Sequence, residues 1–133
     1  MLISSEVDYA IRMIRALADG RVKTATQICD EEKLPKPFAY KILKKLEQAR
    51  LVQPLRGING GYRLTKKVSK ITLFDVLLIS ANNVAISKCL QMPEELSTRD
   101  KATCVIQKEY IRLENAFKSI LSERSIQDIF NAG

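Results

Sequence analysis

Between Lys33 and Lys70 the chain carries eleven basic side chains against one acid. They are Lys33, Lys36, Lys41, Lys44, Lys45, Arg50, Arg56, Arg63, Lys66, Lys67 and Lys70, and the acid is Glu47. That segment is +10 over 38 residues in a chain of +7, so the other 95 residues sum to −3. The chemistry open to such a patch is phosphate neutralisation: it draws in a polyanion and releases the counterions condensed on it. One lysine alone reads as a solvated surface. Eleven basic residues in one segment predict a nucleic-acid face. The remaining reactive groups are three cysteines, Cys29, Cys89 and Cys104, and histidine is absent. An odd cysteine count without an export signal argues against a disulfide framework. The missing histidine removes the commonest general base and metal ligand.

The basic segment needs elements to position it. Ser4 and Ser5 precede Val7, Ile11, Ile14, Leu17 and Ala18 at helical spacing, with Gly20 as the stop. Thr24-Ala25-Thr26-Gln27 is a capping box opening a short helix that turns Ile28 and Cys29 inward. Cys29 there reads as a small buried hydrophobe. Leu34-Pro35-Lys36-Pro37 breaks that helix and begins a third, about Lys36 to Ala49. Its periodicity sends Phe38, Ile42, Leu43 and Leu46 to a core, and Lys41, Lys44, Lys45 and Gln48 to the opposite face. The period then changes to that of strands, over Leu51–Leu55 and Gly61–Thr65, around the turn Arg56-Gly57-Ile58-Asn59-Gly60. Thr72 to Asp75 caps a helix reaching about Ser80. From about Ala102 to Ser122 a long helix carries Ile106, Tyr110, Leu113, Phe117 and Ile120 at steps of 4, 3, 4 and 3, a heptad-like seam suited to dimerisation. Ser125 to Asp128 caps a last short helix.

The expected fold is mainly α with a small β-hairpin, a winged helix-turn-helix followed by a long C-terminal dimerisation helix. The expected division is 1–81 for DNA binding, 82–101 for a polar, sensor-type loop holding Cys89 and Pro93, and 102–133 for the dimerisation helix and the last short helix. Apolar residues make up 46% and charged residues 28%, as in ordinary soluble domains. No apolar run approaches a membrane span. Met1 to Glu6 lacks a basic, then apolar, leader, so a cytoplasmic protein is expected.

The major groove admits an α-helix, and a hairpin wing reaches the adjacent minor groove, where arginine suits the negative potential. Arg56, beside Gly57, is the candidate for that insertion. Three stretches carry a family resemblance: Ser5 to Arg12, Lys36 to Val52, and above all Arg56-Gly57-Ile58-Asn59-Gly60-Gly61-Tyr62-Arg63-Leu64. With Ile71 to Val76 they make the chain resemble the Rrf-two family of bacterial winged-helix regulators. The resemblance implies a homodimer, joined through the long helix, on a near-palindromic operator. It places DNA contacts on Lys36, Pro37, Phe38, Tyr40, Lys41, Lys44 and Lys45, with Arg56, Gly57, Asn59, Gly60, Tyr62 and Arg63 in the wing. Lys44 and Lys45 suit phosphate better than bases, because a lysine is a flexible point charge. Arg50 stands where many members have glycine.

Many members hold an iron–sulfur cluster through three loop cysteines. Here Cys89 and Cys104 correspond to the outer two, and no cysteine lies between them. Some relatives add an acid from the first helix, a position that Asp8 matches. Asp8 also reads as part of a helix start, since Ser5-x-x-Asp8 resembles a capping box. Three sensor readings stay open. They are a cluster on Cys89, Cys104 and non-cysteine ligands such as Asp8, a reversible Cys89–Cys104 disulfide, and no cofactor, with a protein partner or small molecule as signal. The function expected is that of a transcriptional repressor on double-stranded DNA, responsive to redox, iron–sulfur or cysteine status. The alternative is a winged-helix protein-interaction module without specific DNA binding. An enzyme is not expected: there is neither a phosphate-binding glycine loop nor a nucleophile elbow, and the Gly57–Gly61 run joins two strands.

Overall fold

The computed structural model describes residues 3–81 and 101–132, with side chains described over 3–79 and 105–132. Helix α1 is Ser5–Ala16, α2 is Ala25–Glu32 and α3 is Lys36–Gln48. Strands β1, Val52–Leu55, and β2, Gly61–Leu64, form an antiparallel hairpin. A 3-10 turn at Val68–Lys70 leads to α4, Leu73–Ala81. Helix α5 is Lys101–Glu123 and α6 is Ile126–Asn131. The polar loop expected over 82–101, with Cys89 and Pro93, lies outside the described residues except for Lys101, which begins α5.

Each capping box read from sequence at α2, α4 and α6 forms. Thr24 Oγ1 accepts from the Gln27 N–H at 3.1 Å while the Thr24 N–H donates to Gln27 Oε1 at 2.8 Å. Thr72 with Asp75, and Ser125 with Asp128, do the same. At α1 the expectation differs. Ser4, not Ser5, is the N-cap, and its side chain makes no capping bond. Asp8 pairs with Arg12 at 3.2 Å, and Glu6 and Asp8 favour the helix through its dipole.

Helices α1, α2 and α3 close on one core. Val7, Ala10, Met13, Ile14 and Leu17 meet Ile28, Cys29, Ala39, Ile42, Leu43 and Leu46, all buried. Phe38, expected inside, is 49% exposed, and buried Ala39 takes the inward place in the first turn of α3. The Phe38 ring rests on Tyr9, with centroids 6.0 Å apart. Ala18, also expected inward, lies past the end of α1 and is exposed.

The chain leaves α3 through a left-handed residue. Arg50 has φ +62° and its N–H donates to the Glu47 carbonyl at 2.9 Å. The Leu51 N–H reaches the Leu46 carbonyl at 2.9 Å, and both leucines are buried. This cap is the one glycine usually fills, because a left-handed residue without Cβ meets no clash. Arg50 adopts that backbone although it carries a Cβ.

The register pairs Val52 with Leu64 and Leu55 with Gly61. Both strands are one residue shorter than expected, although the Thr65 N–H still donates to the Leu51 carbonyl at 2.9 Å. Beyond β2, Lys23 forms an antiparallel bridge with Tyr62, so β2 is flanked on both sides and β1 is the outer strand. Pro54 is tolerated there because an edge strand does not need its missing N–H. At the other end of the domain, α6 returns to the core. The Ile126 N–H donates to the Ile71 carbonyl at 2.7 Å, and Leu121 and Ile126 are buried with the N-terminal helices.

Candidate nucleic-acid interface

Helix α3 presents Lys36, Pro37, Phe38, Tyr40, Lys41 and Lys44 to solvent, with Lys45 half-buried at its base. Two of these lysines meet an acid from another helix. Glu6 Oε1 lies 2.6 Å from Lys41 Nζ, and Glu6 Oε2 lies 2.9 Å from Lys45 Nζ. Hydrogen bonds from Lys41, then Lys45, hold the Glu6 carboxyl below its ordinary range. Sequence reasoning passed over Glu6 as a site residue. Its only signal is a long-range one, because 39 residues separate it from Lys45 and α1 must pack on α3 to join them.

The wing is built from glycine geometry. Gly57 has φ +109°, and the Gly60 N–H closes the turn on the Gly57 carbonyl at 3.0 Å. A Cβ on Gly60 would stand 2.4 Å from the Leu55 carbonyl oxygen, so only glycine fits. The turn displays Arg56, Ile58 and Asn59, with Ile58 fully exposed. Arg63 is exposed and its Nη2 donates to Gln53 Oε1 at 3.4 Å. Tyr62, also expected at the DNA face, packs partly against the core and uses its backbone to dock the wing.

Lys23 ties this framework together. Its ammonium donates to the Ala16 carbonyl at 2.6 Å, capping the end of α1, and to Glu31 Oε2 at 2.9 Å on α2. Asp19 lies 3.4 Å away. The hydrogen bond to Glu31 leads the causes that raise the Lys23 pKa.

The candidate sensor residues are only partly visible. Cys89 and the Cys104 side chain lie outside the described residues, although Cys104 sits in the first turns of α5. Asp8 is exposed and engaged by Arg12, which suits the helix-start role and leaves its carboxylate beside a fixed cation. Among the described residues no cluster of three or more cysteine or acidic side chains is placed to hold a metal. Cys29 is buried in the core, where desolvation pushes its thiol pKa up, against metal ligation or nucleophilic use.

The heptad seam of α5 divides. Phe117 packs on the chain's own core and Tyr110 is half-buried, whereas Ile106, Leu113 and Ile120, seven residues apart, are all exposed. Val105, beside Ile106 in the chain, is exposed as well. No described helix is long and apolar enough to cross a membrane.

Comparison with known proteins places these features in a family. Residues 3–132 match Rrf2 (the Rrf-two family), described as an iron-dependent transcriptional regulator. Protein aau3 of Rhizobium meliloti is 31% identical, over 99% of this chain and 86% of its own. A protein of Aquifex aeolicus named as an HTH-type transcriptional regulator is 26% identical, over 98% of this chain and 92% of its own. The solved structure of CymR, the global cysteine regulator of B. subtilis, superposes with a TM-score of 0.75 at 22% identity, covering 98% of this chain and 97% of that one. At that identity the superposition speaks for the fold: a winged helix with a long C-terminal helix.

Proposed function

Because the chain belongs to the Rrf2 family of transcriptional regulators, matched over residues 3–132, we propose that it is a sequence-specific DNA-binding repressor, acting as a homodimer on a near-palindromic operator. The observation that carries this reading is the pairing of an exposed, lysine-bearing α3 with a basic wing docked beside the start of α2. Lys36, Tyr40, Lys41 and Lys44 would enter or flank the major groove, and Arg56 would reach the minor groove. The exposed Ile106, Leu113 and Ile120 support a second copy as the partner of α5, and a two-fold pair of reading helices accounts for a near-palindromic site.

The division of labour follows the same lines, with 1–81 reading DNA, 82–101 carrying the sensor loop and 102–133 joining the copies. The test is selection of duplexes from a random pool, followed by titration across salt. A specific binder prefers the selected duplex and loses affinity steeply as salt rises. A protein without salt-dependent duplex binding would be a protein-interaction module instead.

The signal is decided by anaerobic purification with an absorption spectrum and iron and sulfide analysis. Stoichiometric iron and sulfide would make this a cluster regulator, with Cys89, Cys104 and Asp8 the first residues to replace. A colourless protein that binds DNA, and stays colourless after a reconstitution attempt, would answer to thiol oxidation, a small molecule or a protein partner.

A further inference from the structure

Glu6 stands out at the basic face because it is an acid spent on the very lysines that should meet DNA. Each of its carboxylate oxygens holds a different ammonium, Lys41 at 2.6 Å and Lys45 at 2.9 Å. The Glu6 side chain is 23% exposed, Lys45 27% and Lys41 58%, so the trio lies at the surface with Lys41 outermost. Packing α1 on α3 does not require it, since Val7, Ala10 and Ile14 already share a core with Ile42, Leu43 and Leu46. Surface ion pairs also add little to stability.

We propose that Glu6 is an internal stand-in for DNA phosphate: it occupies Lys41 and Lys45 in the free protein and so holds down the affinity of the reading helix for duplex DNA. The inference rests on α3 facing DNA, as above. Two oxygens of one carboxylate present much the same acceptors as two oxygens of one phosphate. A lysine on a flexible stem can exchange one for the other by changing rotamer. Loose, non-specific binding depends on counterion release per phosphate neutralised. A lysine already neutralised by Glu6 contributes little to that release, and the carboxylate repels a phosphate that approaches without correct register. On a matched site, base contacts and the full set of phosphate contacts compensate for the exchange. Glu6 therefore leaves net affinity only where further contacts outweigh the exchange.

The test compares wild-type and Glu6→Gln protein on a mixed-sequence duplex and on a duplex selected by the wild-type protein, between about 50 and 200 mM salt. Glu6→Gln is expected to bind the mixed duplex about fivefold tighter, the size of one screened charge contact. Its salt slope should steepen by about one. The selected duplex should gain by a similar factor, because the same exchange is removed there. Equal or weaker binding to the mixed duplex at an unchanged slope overturns the proposal and leaves Glu6 a tie between helices.

A second pair of variants does not depend on Glu6→Gln folding. Lys44 is exposed and makes no ion pair among the described residues. Lys44→Gln should flatten the slope on the mixed duplex by about 0.9, and Lys41→Gln by clearly less. Equal losses would mean that Glu6 withholds nothing. If wild-type protein binds no duplex at all, the DNA reading itself fails and this inference falls with it. If wild-type binds and the variants behave alike, only the role of Glu6 fails.

Discussion

Tyr62 and Lys23 exchange both of their backbone hydrogen bonds. The Tyr62 N–H donates to the Lys23 carbonyl at 2.7 Å, and the Lys23 N–H returns to the Tyr62 carbonyl at 3.0 Å. Because the Lys23 side chain also joins α1 to α2, this bridge fixes the wing relative to the helix-turn-helix. Gly61 makes the approach possible. It has φ +154°, and a Cβ there would stand 2.5 Å from the Lys23 carbonyl oxygen. Gly61→Ala is expected to undock the wing at a stability loss of about 1–3 kcal/mol. Hydrogen exchange at the Lys23 and Tyr62 amides should accelerate before the core opens. Unchanged protection would show that the bridge survives the added methyl.

Arg56 sits at the exposed turn of that docked hairpin, beside Gly57 at φ +109°. Arg56→Ala should leave the thermal midpoint unchanged and weaken duplex binding by about 1 kcal/mol, the size of one charge contact near water. Unchanged affinity in a titration would remove Arg56 from the interface.

Arg50 offers a gain rather than a loss. Its left-handed backbone costs a residue with a Cβ about 1–2 kcal/mol, partly offset in glycine by greater freedom when unfolded. Its side chain is exposed, although its carbonyl accepts from Thr65 Oγ1. Arg50→Gly keeps that carbonyl and should raise stability by about 0.5–1 kcal/mol. A lower midpoint would mean that the arginine side chain supports the cap.

The long helix must be tested away from its inward face. Phe117 belongs to the chain's own core, so replacing it would confuse unfolding with dissociation. Leu113 and Ile120 are exposed, and Leu113→Glu with Ile120→Glu should give a folded monomer by light scattering and circular dichroism. A dimer that persists would move the interface off this stripe.

Much of this was legible in sequence because it is local. A capping box spans four residues, so Thr24, Thr72 and Ser125 announced their helices correctly. The wing was readable from Gly57, Gly60 and Gly61 and the change of period around them. The core face of α3 was readable at Ile42, Leu43 and Leu46. What sequence could not supply was tertiary. Phe38 has core spacing but sits at the first turn, where Tyr9 receives it at the surface. The seam on α5 has one period but two destinations, and only the fold separates Phe117 from Leu113. Glu6 carries no local sign that it meets Lys41 and Lys45, and Lys23 none that it holds the wing.

The Glu6 trio also makes a pH signature. The Glu6 carboxyl lies below its ordinary value of 4.5 when folded, through Lys41 first and Lys45 second. With a depressed folded pKa, the unfolded chain binds the proton more readily, so this contribution grows with pH across the interval between the two values. It is fully present above the unfolded carboxyl pKa and disappears as pH falls through the folded one. Asp19, through the Arg21 backbone N–H and then Lys23, and Glu109, through Arg112, shift in the same direction, so acid unfolding of the wild type alone would mix the three. The difference between wild type and Glu6→Gln isolates Glu6, because Gln keeps an acceptor and removes the charge. That difference should stay below about 1 kcal/mol, as for other exposed pairs. It should be constant above about pH 5, shrink toward more acid pH, and diminish with added salt. A difference that is flat from neutral to acid pH would mean that the carboxylate charge on Lys41 and Lys45 contributes nothing to the fold.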